Sequence, residues 1–487
     1  MIFHQTILTV ILNVAVYTAW FIITYQLILA IAGFIATRRS RYERETILDG
    51  ITAWPKITVM VPAHNEEKVI ERTVLSLLSL DYPADKLEIV VINDASTDNT
   101  AAIIDRLAVQ DKRVRPYHRF LDNGGGRGKA AALNAALKTI TNEYVAIYDA
   151  DNRPAHDALK LLMANFIHNP ELGAVLGKFR TGNRRKNWLT RFINIEGLGF
   201  QGIMQGGRWQ LMGVSALSGT NYIIRRSVVN AVGGWDVEAL AEDAELSVRM
   251  YRDGYRIKYI PYSDSWEQEP ETLGVWLKQR TRWARGNNYA WWKLVKTFSK
   301  SKHKWYAAEF LFTLSIPYLL LYAIIAMQFL MVMNVCRQLP YDFFTHMPKF
   351  PIYNLLSLLP ADMLQQLPLG LQHPVFYVQL GMVAIVIYYL EILLVLSYDE
   401  ELTFSNMLLI IVMYFTYCQV WPLASLRALW SDLIMHDKRI WDKTVRFDGE
   451  IDQPDAQQHT LPHETHKADK TREPVLVGSV TPDNEQL

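Results

Sequence analysis

Four long apolar blocks constrain this chain more than any other feature of its 487 residues. They run over residues 7–35, roughly 309–335, roughly 375–397 and roughly 405–430, the last interrupted by Pro422. A helix needs about 20 apolar residues to cross a bilayer, so each block is a candidate membrane span. The first is not a cleaved leader, although AIA at 30–32 resembles a cleavage site: MIFHQT carries no Lys or Arg, and the apolar run is too long. TRRSRYER (37–44) follows it at once, and basic residues stay on the cytoplasmic side. The expectation is a multi-pass protein of the plasma membrane. It has an N-terminal transmembrane helix (1–40), a cytoplasmic domain (50–300), a C-terminal transmembrane region (305–435) and a disordered polar tail (450–487).

The loop 337–374 then falls outside the cell, with IYNLLSLLPADMLQQLPLGL lying on the outer membrane surface. HDKRIWDKTVR (436–446) is basic and belongs inside, which requires an even number of crossings after the cytoplasmic domain. Three apolar segments follow that domain, so a hairpin folded at Pro422 is one solution and the topology stays open. A net charge of +1 gives no electrostatic case for nucleic acid as a partner. Cys336 and Cys418 lie in or beside apolar blocks and define neither a disulfide framework nor a thiolate metal site.

The soluble stretch alternates two periods. ITVMVP (57–62), LEIVVIN (87–93) and YVAIYD (144–149) have strand character, whereas EEKVIERTVLSLLSL (66–80), NTAAIIDRLAVQ (99–110) and KAAALNAALKTI (129–140) have helical spacing. Repeated βαβ units predict an α/β fold with a mostly parallel sheet covered by helices. Ligands in such sheets sit beyond the carboxyl ends of the strands. The residues to inspect are therefore HNEE (64–67), NDASTDN (93–99) and DADN (149–152).

Asp149 and Asp151 alternate after a strand, so on an extended segment both face one cation, and hard oxygen ligands suit Mg²⁺ or Mn²⁺. Alone, the same residues are more simply a turn. Asp94 ends a strand where an acid can hydrogen-bond a ribose or base, and Ser96, Thr97 or Asp98 is available to cap the next helix. GGGRGKAAALN (124–134) is not a Walker A loop, because Ala130 stands where Ser or Thr would hold a metal and Asn123 replaces the first glycine. Lys129 at a helix start can still meet a diphosphate, and a merely flexible loop is the equal alternative. Glu242, Asp243 and Glu245 open a helix, where acids complement the dipole or supply a general base; Asp243 is the chosen base.

KQRTRWARGN (278–287) places Gln279, Arg282 and Trp283 at i, i+3 and i+4, on one helix face. Arg282 can pair with phosphate oxygens, and Trp283 offers a flat face to a sugar ring. Arg280 and Arg285 lie elsewhere on the wheel, directed at lipid phosphates. An interfacial basic helix is the competing reading.

Taken together and in order, VPAHNEE, NDASTD, DAD, AED and QRTRW resemble the motif set of membrane-bound family-2 glycosyltransferases, the group of cellulose, poly-N-acetylglucosamine, hyaluronan and chitin synthases. The resemblance covers roughly residues 50–300, and the apolar segments by layout only. It implies a GT-A (Rossmann-like) domain and inverting transfer from a UDP-sugar, either UDP-N-acetylglucosamine or UDP-glucose, onto a growing glycan. It further implies that Asp94, Glu66, Lys129, Asp149, Gln279 and Arg282 bind the UDP-sugar, and that Asp149 and Asp151 hold Mg²⁺ or Mn²⁺. Asp243 with Glu242 would be catalytic, and Trp283, Gly219 and Thr220, the last two from LSGTNYIIRRSVV (217–229), would meet the acceptor. Transfer of one sugar to a membrane lipid is the alternative with the same chemistry, and a silent membrane scaffold is the non-enzyme alternative. Two departures stand out. Ala241 replaces the family's threonine before the two acids. The few apolar segments also leave room for a dimer or an accessory export protein.

Overall fold

Ile57–Ala63 (β1) is buried at six of seven positions and Leu87–Asp94 (β2) at seven of eight, so both strands need cover on each face. The computed structural model describes residues 2–338, 374–399 and 401–436. Its sheet has eight strands: β1, β2, Val114–Arg119 (β3), Tyr144–Ile147 (β4), Arg153–Pro154 (β5), Ala174–Thr181 (β6), Tyr222–Arg225 (β7) and Ile257–Glu267 (β8). Their order is β3-β2-β1-β4-β7-β6-β8-β5. The run β3-β2-β1-β4 is parallel, as the alternating pattern predicts. Beyond it the sheet is mixed, because β7 is antiparallel to both β4 and β6. The repeated βαβ pattern ended at Asp149, so it carried no information on the direction of β7.

Ile2–Thr46 (α1) is one uninterrupted helix through TRRSRYER, which ends ion-paired to the sheet domain: Arg44 meets Asp157 at 2.9 Å, and Lys258 meets Glu43 at 2.6 Å. Ile70–Leu78 (α2) buries Ile70, Thr73, Val74 and Leu77, the stripe its spacing predicts. Thr100–Gln110 (α3), Lys129–Leu137 (α4) and Ala158–His168 (α5) complete the first half. Trp188–Gly199 (α6) continues through wide π turns over Phe200–Gly207 into Arg208–Met212 (α7). This connector is largely buried against α1. An ideal Cβ on Gly33 would sit 2.1 Å from the Gly202 carbonyl oxygen, and one on Gly207 2.2 Å from that of Leu29, so only glycine allows the two backbones to touch. Arg226–Ala231 (α8), Glu242–Arg252 (α9) and Leu273–Thr297 (α10) then follow in the chain.

Lys304–Gln338 (α11), Pro374–Tyr398 (α12), Phe404–Phe415 (α13) and Tyr417–Leu429 (α14) come from the remaining apolar blocks. Among the described residues, three helical stretches are long and apolar enough to cross a membrane: Asn13–Thr46, Lys304–Ala326 and Gln379–Ser397. Phe404–Phe415 and Tyr417–Ile434 form a fourth if the bent pair is one span. The break in this pair corrects the sequence reading. Pro422 lies inside α14, and the chain bends by 43° at Thr416, whose φ is −120° and ψ −76°. Proline crowds the carbonyl four residues before it, at Cys418, yet α14 runs through that turn unbroken, so the bend at Thr416 stands apart from Pro422. The expected outer loop, the tail, and the basic segment after His436 lie outside the described residues.

Candidate active site

The first half of the site is built at the carboxyl ends of β1 and β2. Asp94, the last residue of β2, is 3% exposed. Its Oδ1 accepts hydrogen bonds from Arg119 Nη1 at 2.6 Å and from the Gly126 amide at 3.0 Å. Arg119 ends β3 on the adjacent strand, a position the motif reading passed over although its parallel pairing with β2 brings it to Asp94. Ala95, immediately after Asp94, has φ 57°, a left-handed conformation unfavourable for a side chain with Cβ. Asn65 has φ 55° and ties the two loops together, donating its amide to Ser96 Oγ at 3.0 Å and accepting from the Thr97 amide at 2.7 Å. Glu66 is buried beside them, its amide donating to Thr100 Oγ1 at 2.8 Å.

Gly124, Gly126 and Gly128 all have positive φ, which lets the loop turn back over Asp94 before α4 begins at Lys129. The Lys129 ammonium reaches Asp149 Oδ1 at 2.6 Å, the Gly219 carbonyl at 2.8 Å and Glu242 Oε1 at 3.5 Å. Burial works against its charge, but the two carboxylates outweigh burial and hold it protonated.

Asp149 and Asp151 sit in a turn, not on an extended segment: the Asn152 amide donates to the Asp149 carbonyl at 3.0 Å. Their carboxylates have different neighbours. Asp149 faces Lys129, and Asp151 Oδ2 accepts from the Gln268 amide at 3.1 Å, at the end of β8. Among the described residues no three His, Cys, Asp or Glu side chains gather to hold a metal. The two hard carboxylates therefore fit a divalent cation only if diphosphate oxygens or water supply the other ligands, the usual situation for Mg²⁺.

Gly219 is the meeting point. An ideal Cβ built on it would lie 3.5 Å from Asp243 Oδ2, 3.6 Å from Lys129 Nζ and 3.9 Å from Asp149 Oδ2, and its φ of 87° favours glycine. Thr220 Oγ1 accepts from the Asp149 amide at 3.2 Å. Ser247 Oγ accepts from the Leu217 amide at 2.8 Å and donates to the Asp243 carbonyl at 2.8 Å, fixing the Gly219 loop to α9. The three acids opening α9 divide. Glu245 is paired with Arg249 and Lys293, whereas Glu242 and Asp243 face Lys129 and Gly219. Burial raises the Asp243 pKa to about 7, with the adjacent Glu242 charge adding to the effect and Lys129 opposing it.

Helix α10 closes this side. An ideal Cβ on Gly286 would lie 2.5 Å from Ala241 Cβ and 2.6 Å from its backbone N, so the helix rests directly on the residue before the two acids. Arg282 Nη1 donates to the Leu240 carbonyl at 3.2 Å, and Gln279 Oε1 is buried without a hydrogen bond among the described residues. Trp283 is half-buried, with the Arg280 guanidinium 4.1 Å from its ring centre. The expectation that Arg280 and Arg285 face lipid phosphates is overturned. Arg280 is buried and bound to Glu196 at 2.7 Å, and Arg285 is bound to Asp432 at 2.8 Å. Buried guanidinium groups need a carboxylate, and tertiary packing brings one to each.

The family model for glycosyltransferase like family 2 matches residues 55–286. The chain is 33% identical over 432 residues to "Probable glycosyltransferase YdaM" of Bacillus subtilis (strain 168), covering 88% of this chain and 96% of that one. It is 36% identical over 256 residues to the poly-beta-1,6-N-acetyl-D-glucosamine synthase of Staphylococcus aureus (strain COL), covering 52% of this chain and 60% of the synthase. A solved structure of a Pyrobaculum calidifontis mannosyltransferase, in complex with GDP-Man and Mn2+, is 23% identical with a TM-score of 0.43 over 75% of this chain and 97% of that one. That likeness is too loose to bear on the site. The near end-to-end match to the Bacillus protein is decisive, and together with the matched family region it makes this chain a glycosyltransferase of family 2, built on the mixed α/β GT-A fold.

Proposed function

We propose that this glycosyltransferase polymerises a β-linked exopolysaccharide from a UDP-sugar at the inner face of the plasma membrane and passes the growing chain outward. The observation that carries the reading is the meeting of Asp149, Lys129, Glu242 and Asp243 around Gly219. With a pKa of about 7, Asp243 is partly ionised at neutral pH, the condition a general base needs. It takes the proton from the acceptor hydroxyl as that oxygen bonds to the anomeric carbon. The bond from that carbon to UDP breaks on the opposite face, and UDP leaves with the electron pair, so the configuration inverts.

In this reading Asp94 and Glu66 hold the nucleoside, and Lys129, Gln279 and Arg282 serve the diphosphate. Asp149 and Asp151 would hold Mg²⁺ or Mn²⁺, which when bound would supply positive charge beside the diphosphate leaving group. Gly219, Thr220 and Trp283 receive the acceptor; Arg280 covers one face of the Trp283 ring, and the sugar stacks on the other. UDP-N-acetylglucosamine is favoured over UDP-glucose by the 36% identity to the Staphylococcus synthase. The apolar helices form a multi-pass anchor with residues 50–300 on the cytoplasmic side, and an accessory protein or second copy helps complete the export path. Incubating membranes with labelled UDP-sugars tests this. A high-mass, glycosidase-sensitive product is expected, and a solvent-extractable labelled lipid in its place would turn the reading to glycolipid synthesis.

A further inference from the structure

Away from the acid cluster, one carboxylate serves three hydrogen-bond donors on two other helices. Glu196, in α6, accepts through Oε2 from Arg280 Nη2 at 2.7 Å and from the Tyr417 hydroxyl, and through Oε1 from Trp421 Nε1 at 2.6 Å. Trp276 Nε1 donates to the Tyr417 hydroxyl at 2.8 Å. The Arg280 guanidinium carbon lies 4.1 Å from the ring centre of Trp283, 5.7 Å from that of Trp421 and 5.9 Å from that of Trp276. Arg280 is 2% exposed, and its Nε and Nη1 make no hydrogen bond among the described residues. Three indole faces and one carboxylate thus replace its water, with the Tyr417 hydroxyl and then Glu269 adding weaker interactions.

Glu196 therefore decides where the guanidinium lies. With the carboxylate charge gone, Arg280 is free to turn on its long side chain, and Trp283 loses the group that covers one of its faces. We propose that Glu196 is a positioning residue for acceptor binding. It locks Arg280 against Trp283 and, through Tyr417 and Trp421, ties that platform to α14, so acceptor affinity depends on the bent apolar pair Phe404–Phe415 and Tyr417–Ile434. This rests on the acceptor role given to Trp283 above.

The test uses the full chain in lipid nanodiscs, with labelled UDP-N-acetylglucosamine as donor and a β-1,6-linked N-acetylglucosamine pentamer as acceptor. Glu196→Gln should raise the acceptor KM about tenfold while the donor KM stays within about twofold. Because a lone buried arginine also destabilises the fold, the double variant E196Q/R280Q removes both charges. It should melt close to the wild type and keep the raised acceptor KM, whereas Glu196→Asp, which keeps the charge, should recover part of the affinity. A stable double variant with wild-type acceptor KM would overturn the proposal, as would donor and acceptor KM rising equally. If the wild type fails to elongate the pentamer, the polysaccharide reading falls and the acceptor role beneath this proposal falls with it; an unchanged KM in the variants removes the Glu196 role alone.

Discussion

Two arrangements of buried charge stand in contrast among the described residues. Around Gly219, Asp149, Glu242 and Asp243 face the single ammonium of Lys129. Where the apolar helices meet the sheet domain, charges are matched: Arg208 with Glu309, Arg280 with Glu196, Arg285 with Asp432, and Lys178 and Arg180 with Asp399 and Asp264. A matched pair satisfies itself and holds two elements together. An acid excess does not: burial raises the affinity of Asp243 for a proton, the Glu242 charge adds to that, and the site is left short of positive charge. The matched arrangement suits anchoring, and the acid excess suits a site that takes up a proton and a cation.

The largest expected effect falls on the unmatched cluster. Asp243→Asn should lower sugar transfer by about 10³-fold or more, with circular dichroism and melting temperature close to the wild type. Intact transfer by the folded variant would remove the distinction between the two clusters. Chelation with EDTA should stop turnover, and added Mn²⁺ or Mg²⁺ should restore it; full activity in EDTA would mean that Lys129 and Arg282 supply the positive charge without a metal. In the matched set, Glu309→Gln leaves Arg208 buried and unpaired, which should cost about 3–5 kcal/mol of stability without altering turnover per folded molecule. Melting curves beside rate measurements would separate the two effects.

Smaller changes refine the same contrast. Gly286→Ala would push a methyl group to 2.5 Å from Ala241 Cβ. The resulting overpacking should cost about 1–3 kcal/mol and lower the rate by displacing α10 from the α9 start, measured by melting and initial rates. The finest test is a pH profile. The base must be ionised, so the rate should rise with pH through about 7. Glu242→Gln removes a neighbouring negative charge that discourages ionisation, so the rising limb should move to lower pH. A limb that stays in place would mean that Asp243 is not the titrating group.

Much of the site stood in the sequence because its residues are strand ends and helix starts. Asp94 closes β2, Lys129 opens α4, and Glu242 and Asp243 open α9, positions set by local period and by turn residues. The helical wheel held one further clue. Arg280 and Trp283 are three residues apart and so are neighbours on the helix surface, although the sequence reading set Arg280 on a different face, and nothing local says that this side is buried. Glu196 gave no signal, since it sits mid-helix and its partners lie 84 to 225 positions away.

What the sequence determined by itself is the set of parts: apolar blocks of spanning length, βαβ periodicity, and acids and glycines at the ends of elements. These follow from repeat spacing and backbone preference, which act over a few residues. Only the tertiary structure decided that Lys129 faces three acids, that β7 runs antiparallel, that the last apolar block bends at Thr416, and that Arg280 lies among tryptophans. Those outcomes depend on which distant surfaces exclude water together, and no local spacing encodes that.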